Sequence, residues 1–342
     1  MTVRALLLTG HGPPERTLEV RELPDPPVGD REVRVRVRAA GVNFADVSMR
    51  VGIYPDIPKL PAVIGYEVAG EVESVGASVD GLEVGQRVCA ALPRLGGFAE
   101  LVSADAVNVF EIPDTLTFAQ AAAIPLSYCT AYVAVNVLAY VHTGETVLVH
   151  SAAGGVGISA LQLLRERGAV VIGTASASKH DAARAHGATH MIDYRTQDVR
   201  TEVLRITGAR GVDVVLDSLG RTRESYALLR PGGRLVAYGF TGAVAGQRNR
   251  VGAALRGLPR YLAMPRFSPM KLGLDNKAVS GMTLQRWWAK RPVAEQMEPL
   301  LALAREGKIE PVVAKTFPLD EAAQAHRFLE ERRNIGKVVL EP

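Results

Sequence analysis

The two ends of the chain alternate apolar and polar residues with the two-residue period of β-strands. In residues 31–40, valines alternate with arginines, which predicts a strand with one buried face and one wet face. Glu67–Val75 and residues 87–92 show similar patterns, and glycines and prolines separate them. Near the carboxyl end, residues 321–332 predict an amphipathic helix and residues 337–340 a further strand.

From about Tyr128 onward the pattern changes to helices alternating with short apolar strands. The predicted strands are residues 146–150, 169–174, 190–193, 212–216 and 233–238. Strands separated by helices pair in parallel, with helices on both faces of the sheet. The pattern therefore predicts an α/β fold whose middle part is a doubly wound parallel sheet.

Residues 115–144 contain no Asp, Glu, Lys or Arg, so a membrane span is an alternative for this segment. Polar residues such as Gln120, together with Pro125, interrupt it. We therefore expect a helix around residues 118–123, a break at Pro125, and a buried helix from about Tyr128 to Tyr140.

A glycine-rich turn follows the strand at residues 147–149 and precedes an amphipathic helix that opens near Val156. Glycines let the backbone approach a pyrophosphate closely, and a helix start offers N–H groups and a positive dipole end to that anion. This strand, turn, helix and second strand (170–174) predict a nucleotide-binding unit. The residues expected at the phosphates are Ala153, Gly154, Gly155 and Val156.

The end of the second strand bears on the choice between NAD and NADP. An NAD site usually has Asp or Glu there, whereas this chain has Thr174, Ala175 and Ser176, followed by Lys179. A carboxylate would repel a 2′-phosphate, while hydroxyls and a lysine would hold one. With Tyr194 downstream, the pattern favours NADPH, the alternative for Lys179 being a solvated lysine at a helix start.

Residues after the later strands are expected to face the cofactor too, because ligands bind outside the carboxyl ends of such strands. These residues are Ser218, Leu219, Gly239 and Phe240.

Composition bounds the remaining possibilities. A chain of 342 residues suggests two domains, and a net charge of +4 gives no reason to expect nucleic acid. Cys89 and Cys129 form no metal-binding motif, and so few cysteines fit a reducing cytosol. The first apolar run is too short for a signal peptide, so we expect a cytoplasmic protein.

Taken together, these motifs resemble the zinc-independent quinone oxidoreductases of the medium-chain dehydrogenase/reductase superfamily. The matching stretches are residues 40–46, 52–54, 65–70, 153–157 with Gln162, and 336–338. Within that family, residues 173–180, 187–199 and 334–340 are most similar to the vesicle amine transport protein 1 branch.

The resemblance implies a GroES-like β-barrel catalytic domain at residues 1–126, completed by residues 309–342. A Rossmann NADPH-binding domain at 127–308 lies between these parts of the chain, and a homodimer is expected. Zinc-dependent relatives carry a metal-binding Cys where Asn43 stands and a metal-binding His where Tyr66 stands. Neither replacement is a good zinc ligand, so we expect no metal.

The resemblance also implies residue roles in hydride transfer to a quinone or to the C=C bond of an α,β-unsaturated carbonyl. Asn43 and Thr130 would meet the nicotinamide. Tyr54 would donate a hydrogen bond to the substrate oxygen; alternatively its ring packs against Pro55 with its hydroxyl in water. Asp46 would orient its loop or a neighbouring hydroxyl. The residues implied for the adenosine end are Ser176, Lys179 and Tyr194. Arg332 is a further candidate for the 2′-phosphate, the alternative being a solvated helix-end pair with Arg333, and Asn334 is also expected to bind the cofactor.

Two other functions stay open at this point. Residues 241–274 mix basic and apolar side chains without any acid, as do segments that lie on anionic membranes, so a lipid-binding or membrane-peripheral protein is one alternative. We do not favour it, because prolines interrupt the segment. The other alternative is an enoyl reductase of polyketide or fatty-acid metabolism, which shares this fold and this chemistry.

Overall fold

The computed structural model describes residues 1–239 and 265–342. Among these residues the chain forms two compact units. The first comprises Met1–Cys129 and Trp288–Pro342, and the second comprises residues 130–239 and 265–287. Among the described residues, the chain passes from the first unit to the second between residues 129 and 130 and is in the first unit again from residue 288. The domain boundaries expected from the sequence stay predictions.

The first unit is built on two sheets. In the larger one the strand order is Val313–Pro318, Lys337–Glu341, Glu32–Val42, Glu67–Val75, Arg87–Ala91 and Val109–Glu111, with Leu101–Asp105 paired to Glu32–Val42. In the smaller one it is Leu18–Pro24, Thr2–Leu8 and Ala62–Val63. The alternating valines of the predicted strand at 31–40 point into the core, which confirms that prediction.

Helices cover the sheets of this unit. They are Pro14–Thr17, Phe44–Val51, Phe118–Ala121, Ala294–Arg305 and Ala322–Glu330, with single turns at Ala106–Asn108 and Leu319–Glu321. Ala294–Arg305 buries Met297 and Leu300 and packs against the segment Ile124–Tyr128. Through this packing, Ala294–Arg305 belongs to the first unit.

The predicted break at Pro125 in the apolar segment is wrong. The helical path runs from Phe118 to Leu138, with wider π-helical turns at Ile124–Tyr128 and Val133–Leu138 on either side of Cys129–Tyr132. Pro125 lies at the start of the first π-helical turn, where its missing N–H is tolerated. By length and composition Phe118–Leu138 could span a membrane, but 72% of its most apolar window is buried inside the protein, as in core helices.

The second unit contains a parallel sheet, as predicted. Its strand order is His190–Asp193, Val170–Ala175, Thr146–Val149, Val212–Asp217, Leu229–Ala237 and Ala278–Gly281. The described helices of this unit are Gly155–Glu166, His180–Ala185, Val199–Ile206, Thr222–Ala227, Pro269–Asp275 and Leu284–Trp288, with a single turn at Ala177–Lys179. The edge strand Ala278–Gly281 was not predicted. Because all strands run the same way, their carboxyl ends share one edge of the sheet.

Candidate functional site

The loops at the carboxyl edge of the second unit's sheet are tied to one another by backbone hydrogen bonds. The N–H of Ala152 donates to the carbonyl of Thr174, and the N–H of Tyr238 donates to the carbonyl of Asp217, both at 3.0 Å. The residues predicted to bind a cofactor from the ends of strands Thr146–Val149, Val170–Ala175 and Val212–Asp217 therefore lie along one edge, where ligands of such sheets bind.

The glycine turn is as tight as the motif requires. The N–H of Gly154 donates to Ser151 O at 2.9 Å, and helix Gly155–Glu166 begins directly afterwards. A Cβ atom at Gly157 would overlap Ser151 O and lie 2.6 Å from Ala152 C, so only glycine fits there. The first amides of the helix, including those of Gly155 and Val156, have no acceptor within the helix. With Ala153 buried beside them, they form a cradle that fits a pyrophosphate.

The neighbouring strand ends without a carboxylate of its own. Ser176 is buried, and Lys179 is half-buried at the end of a single turn. Ala175 is paired in register with Asp193, and Tyr194 follows directly after the end of that adjacent strand. A serine hydroxyl and an ammonium group in this arrangement suit a 2′-phosphate.

Asp193 is the acid nearest to this strand end, but it is engaged in its own turn. Its Oδ1 accepts a hydrogen bond from the N–H of Arg195 at 3.0 Å, and its Oδ2 accepts one from Thr196 Oγ1 at 3.3 Å. The Asp193 carboxylate is thus hydrogen-bonded within its own turn, whereas the acid of an NAD site bonds the ribose 2′-hydroxyl.

The next strand end is organised by Asp217. Its Oδ1 accepts from the N–H groups of Leu219 at 2.8 Å and Gly220 at 3.0 Å, and burial raises the pKa of this carboxyl. Ser218 is buried next to it, and a Cβ at Gly239 would lie 2.9 Å from Ser218 O. Ser218, Leu219 and Gly239 therefore lie together at the predicted edge. Phe240 lies outside the described residues.

His150 is a residue of this edge that sequence reasoning missed. It is buried, with Nδ1 3.3 Å from Thr174 Oγ1 and Nε2 3.2 Å from Ser225 Oγ. Burial lowers its pKa to about 4, so the ring is neutral at pH 7 and ties the start of the glycine turn to its neighbours. Its signal in the sequence is a lone polar residue directly after a buried strand.

The first unit contains a fully buried polar network around Asn43, Glu67 and Lys337. The Nζ atom of Lys337 donates to Glu67 Oε1 and to Asn43 Oδ1, and lies 3.4 Å from Ser127 Oγ. The other carboxylate oxygen of Glu67 accepts from the N–H of Leu126 at 2.6 Å. Burying an ammonium and a carboxylate is tolerated only because each is paired and hydrogen-bonded in this way.

Asp46, Tyr54 and Tyr66 adjoin that network. Asp46 is completely buried, and its Oδ2 accepts from the N–H of Asn43 at 2.7 Å, which caps helix Phe44–Val51. Burial raises the pKa of Asp46 to about 7, against the opposing effects of that hydrogen bond and of the Lys337 charge.

The Tyr54 ring meets the buried Tyr66 ring edge to face, with centroids 6.4 Å apart. Burial and a hydrogen bond to Tyr54 hold the pKa of Tyr66 well above its usual range. This geometry supports Tyr54 as part of an internal cluster over the alternative in which it packs on Pro55 with its hydroxyl in water.

The remaining predicted residues lie elsewhere. Thr130 is buried in the second unit, at the point where the chain enters it. Arg332 and Asn334 lie in the first unit, before strand Lys337–Glu341. Arg332 is exposed, whereas Asn334 is buried and its Nδ2 donates to Gly336 O at 2.8 Å. The roles of Thr130, Arg332 and Asn334 in cofactor binding stay predictions.

The comparisons with known proteins place the chain in a family. Residues 29–114 match the alcohol dehydrogenase GroES-like domain and residues 186–340 match the zinc-binding dehydrogenases. The synaptic vesicle membrane protein VAT-1 homolog of Rattus norvegicus is 39% identical over 345 residues, covering 99% of this chain and 84% of the relative. The chain belongs to the medium-chain dehydrogenase/reductase superfamily. This confirms the predicted family, its VAT-1-like branch, and the fold of a GroES-like domain combined with a Rossmann domain.

Solved structures of this superfamily cover the whole chain. Escherichia coli quinone oxidoreductase in complex with NADPH is 31% identical, with a TM-score of 0.86, and the match spans 99% of this chain and all of that one. The enoyl reductase CurK is 28% identical with a TM-score of 0.83, covering 99% of both chains. The chain is therefore an oxidoreductase of this superfamily by fold and sequence.

Residues 186–340 match a family described as zinc-binding dehydrogenases, which raises the question of whether this chain could hold zinc. At the corresponding place Asn43 and Tyr66 supply an amide and a phenol, and the Lys337 ammonium occupies Asn43 Oδ1 and Glu67 Oε1. A zinc ion there would lack good ligands and would meet a positive charge. Across the described residues, no three His, Cys, Asp or Glu side chains are placed to share a metal. The donor set does not fit zinc.

Proposed function

We propose that this protein is a zinc-independent, NADPH-dependent reductase that acts on quinones or on the C=C bond of α,β-unsaturated carbonyl compounds. The observation that carries the proposal is the edge of the second unit's sheet. There, a glycine turn at a helix start adjoins a strand end that offers Ser176 and Lys179 where an NAD site would offer an acid. Similarity to a quinone oxidoreductase solved with NADPH supports the same assignment.

In this proposal the second unit binds the cofactor and orients it. The amides at the start of helix Gly155–Glu166 hold the pyrophosphate, while Ser176, Lys179 and Tyr194 hold the adenosine 2′-phosphate. Ser218, Leu219 and Gly239 line the next strand ends and position the rest of the cofactor. When bound, the nicotinamide supplies the hydride, and the protein supplies orientation and hydrogen bonds.

The first unit would supply a hydrogen bond to the substrate. Hydride addition to a quinone or enone leaves negative charge on an oxygen, which one well-placed hydroxyl donor stabilises. Tyr54 is the candidate, because Tyr66 holds its ring and hydroxyl in place from the buried side. No Lewis acid is required for this chemistry, in agreement with a donor set that does not fit zinc.

The test follows NADPH or NADH oxidation at 340 nm against ortho-quinones, para-quinones and α,β-unsaturated carbonyl compounds. We expect turnover with NADPH preferred over NADH. A preference for NADH would refute the 2′-phosphate assignment, and absence of turnover with every acceptor would refute the reductase.

The same experiment, with added measurements, distinguishes the two alternative functions, an enoyl reductase and a membrane-peripheral protein. Similarity to the enoyl reductase CurK is the reason to add enoyl compounds, including enoyl thioesters, to the acceptor panel. If NADPH binds and no acceptor is reduced, sedimentation with anionic liposomes tests the membrane-peripheral alternative. Absence of liposome binding at low salt would eliminate it.

A further inference from the structure

We infer that Lys337 is a positioning residue of the reductase: its buried ammonium fixes the Asn43 amide and the Glu67 carboxylate in one arrangement and supplies an internal positive charge between them. The inference rests on the proposed function for its effect on turnover. Its structural basis is the network in the first unit alone.

All three hydrogens of the ammonium have acceptors. They face Glu67 Oε1, Asn43 Oδ1 and Ser127 Oγ, and Lys337 is only 3% exposed. A lysine normally keeps its charged end in water. Here the whole side chain is inside, on strand Lys337–Glu341, whose backbone pairs with Glu32–Val42 just ahead of Asn43. The strand therefore fixes the Lys337 ammonium next to Asn43 and Glu67.

The ammonium determines which way the Asn43 amide faces. Both hydrogens of Nδ2 are used, one by Gly41 O at 3.1 Å and one by Glu67 Oε1 at 2.9 Å. Turning the amide over would put its NH₂ group against the Lys337 ammonium, with two donors facing each other. Asn43 is thus locked, and its N–H in turn holds Asp46 at the start of helix Phe44–Val51.

The side chains of Glu67 and Lys337 pack closely against the backbone at Gly41. A Cβ at Gly41 would overlap Glu67 Oε1 and lie 2.7 Å from Lys337 Cε. Glycine at position 41 is therefore favoured by the buried side chains that crowd it, because the strand Glu32–Val42 gives it no unusual backbone angle.

Lys337 also sets the electrostatic environment of Asp46. The charged or titratable groups that act on Asp46 or on which it acts are Lys337, Glu67 and Tyr66. Lys337 is the cation among them, and its charge lowers the pKa of Asp46, whereas Glu67 raises it. Without the ammonium, the charge that lowers the pKa of Asp46 is gone, so we expect the midpoint of the Asp46 titration to move to higher pH.

The test compares Lys337→Met and Lys337→Arg with a control, Lys315→Met, which removes an exposed lysine from the neighbouring strand Val313–Pro318. Three quantities are measured: the NADPH dissociation constant, kcat against pH, and the titration of Asp46 by NMR of ¹³C-labelled aspartate, assigned with Asp46→Asn. For Lys337→Met we expect kcat to fall about 10- to 100-fold, NADPH affinity to change less than about 3-fold, and the Asp46 midpoint to rise. Lys337→Arg should restore the midpoint in part.

Lys337→Met leaves Glu67 unpaired, so it could fail to fold. The double variant Lys337→Met/Glu67→Gln removes both charges and keeps the test decisive. Low kcat in a well-folded double variant supports positioning, and full recovery of kcat would show a merely structural role and overturn the inference. An unmoved Asp46 midpoint in Lys337→Met would overturn it as well. If wild type reduces no acceptor, the proposed function fails, while the NMR titration still decides whether Lys337 sets the network.

Discussion

Asp46→Asn should stabilise the protein at neutral and alkaline pH. In the wild type the completely buried carboxyl has one oxygen bonded to the N–H of Asn43, while its other oxygen, Oδ1, has no hydrogen-bond partner among the described residues. The substituted amide keeps the same shape, and its oxygen can accept the same hydrogen bond. It carries no charge at any pH, so the cost of burying a carboxylate disappears.

The magnitude follows from the pKa of Asp46, which burial raises from 3.8 to about 7. Between those two values the folded protein binds this proton and the unfolded chain does not, so the free energy of unfolding falls as pH rises. Each pH unit in this window costs about 1.4 kcal/mol, giving about 4 kcal/mol in total above pH 7. Below pH 3.8 the cost is absent.

Thermal unfolding of wild type and Asp46→Asn from pH 5 to pH 8 measures this effect. The advantage of the variant should grow by about 2 kcal/mol between pH 5 and pH 7, or roughly 4–8 °C in Tm for a domain of this size, and level off near pH 8. Asp181→Asn, which changes a fully exposed aspartate, is the control and should follow the wild-type pH dependence. Parallel curves for wild type and Asp46→Asn would refute the reasoning.

Three further substitutions test the proposed site. Tyr54→Phe should lower kcat for enones or quinones about 100-fold with NADPH affinity retained, and an unchanged rate would remove Tyr54 from the mechanism. Lys179→Ala should weaken NADPH about 10- to 100-fold and spare NADH; Arg184→Ala, an exposed residue of the following helix, is the control, and equal losses for both cofactors would contradict the assignment. Gly157→Ala should cost about 1–3 kcal/mol of stability by overlap with the turn's carbonyls, whereas Gly273→Ala, with no atom within 4 Å of its added Cβ, should cost nothing.

The parallel sheet and its glycine turn could be predicted because they depend on local patterns. A buried parallel strand such as Val170–Ala175 appears as an apolar run, and the turn demands glycine where the backbone crowds itself, as at Gly157. The edge strand Ala278–Gly281 has neither signal, because only four residues pair and two of them are exposed. Pro125 misled the prediction, since a π-helical turn removes the conflict that proline causes in a regular helix.

The network around Lys337 could not be predicted, because its members come from distant parts of the chain. Asn43 and Glu67 are separated from Lys337 by 294 and 270 residues, and only the pairing of their strands brings them together. In the sequence Lys337 is a polar residue at the start of a strand, where an exposed side chain is the ordinary expectation.

This network gives a structural reason for the metal independence that we propose, beyond the missing cysteine and histidine. Restoring ligands at positions 43 and 66 would still leave an ammonium beside Glu67, and a cation entering there would have to displace it. Replacing Lys337 alone would leave Asn43 and Tyr66 as poor zinc ligands. Zinc binding would therefore require changes on three separate segments, and the change that removes Lys337 would leave the buried Glu67 carboxylate without its ion-pair partner. The buried lysine thus acts against a metal site in addition to the two ligand substitutions.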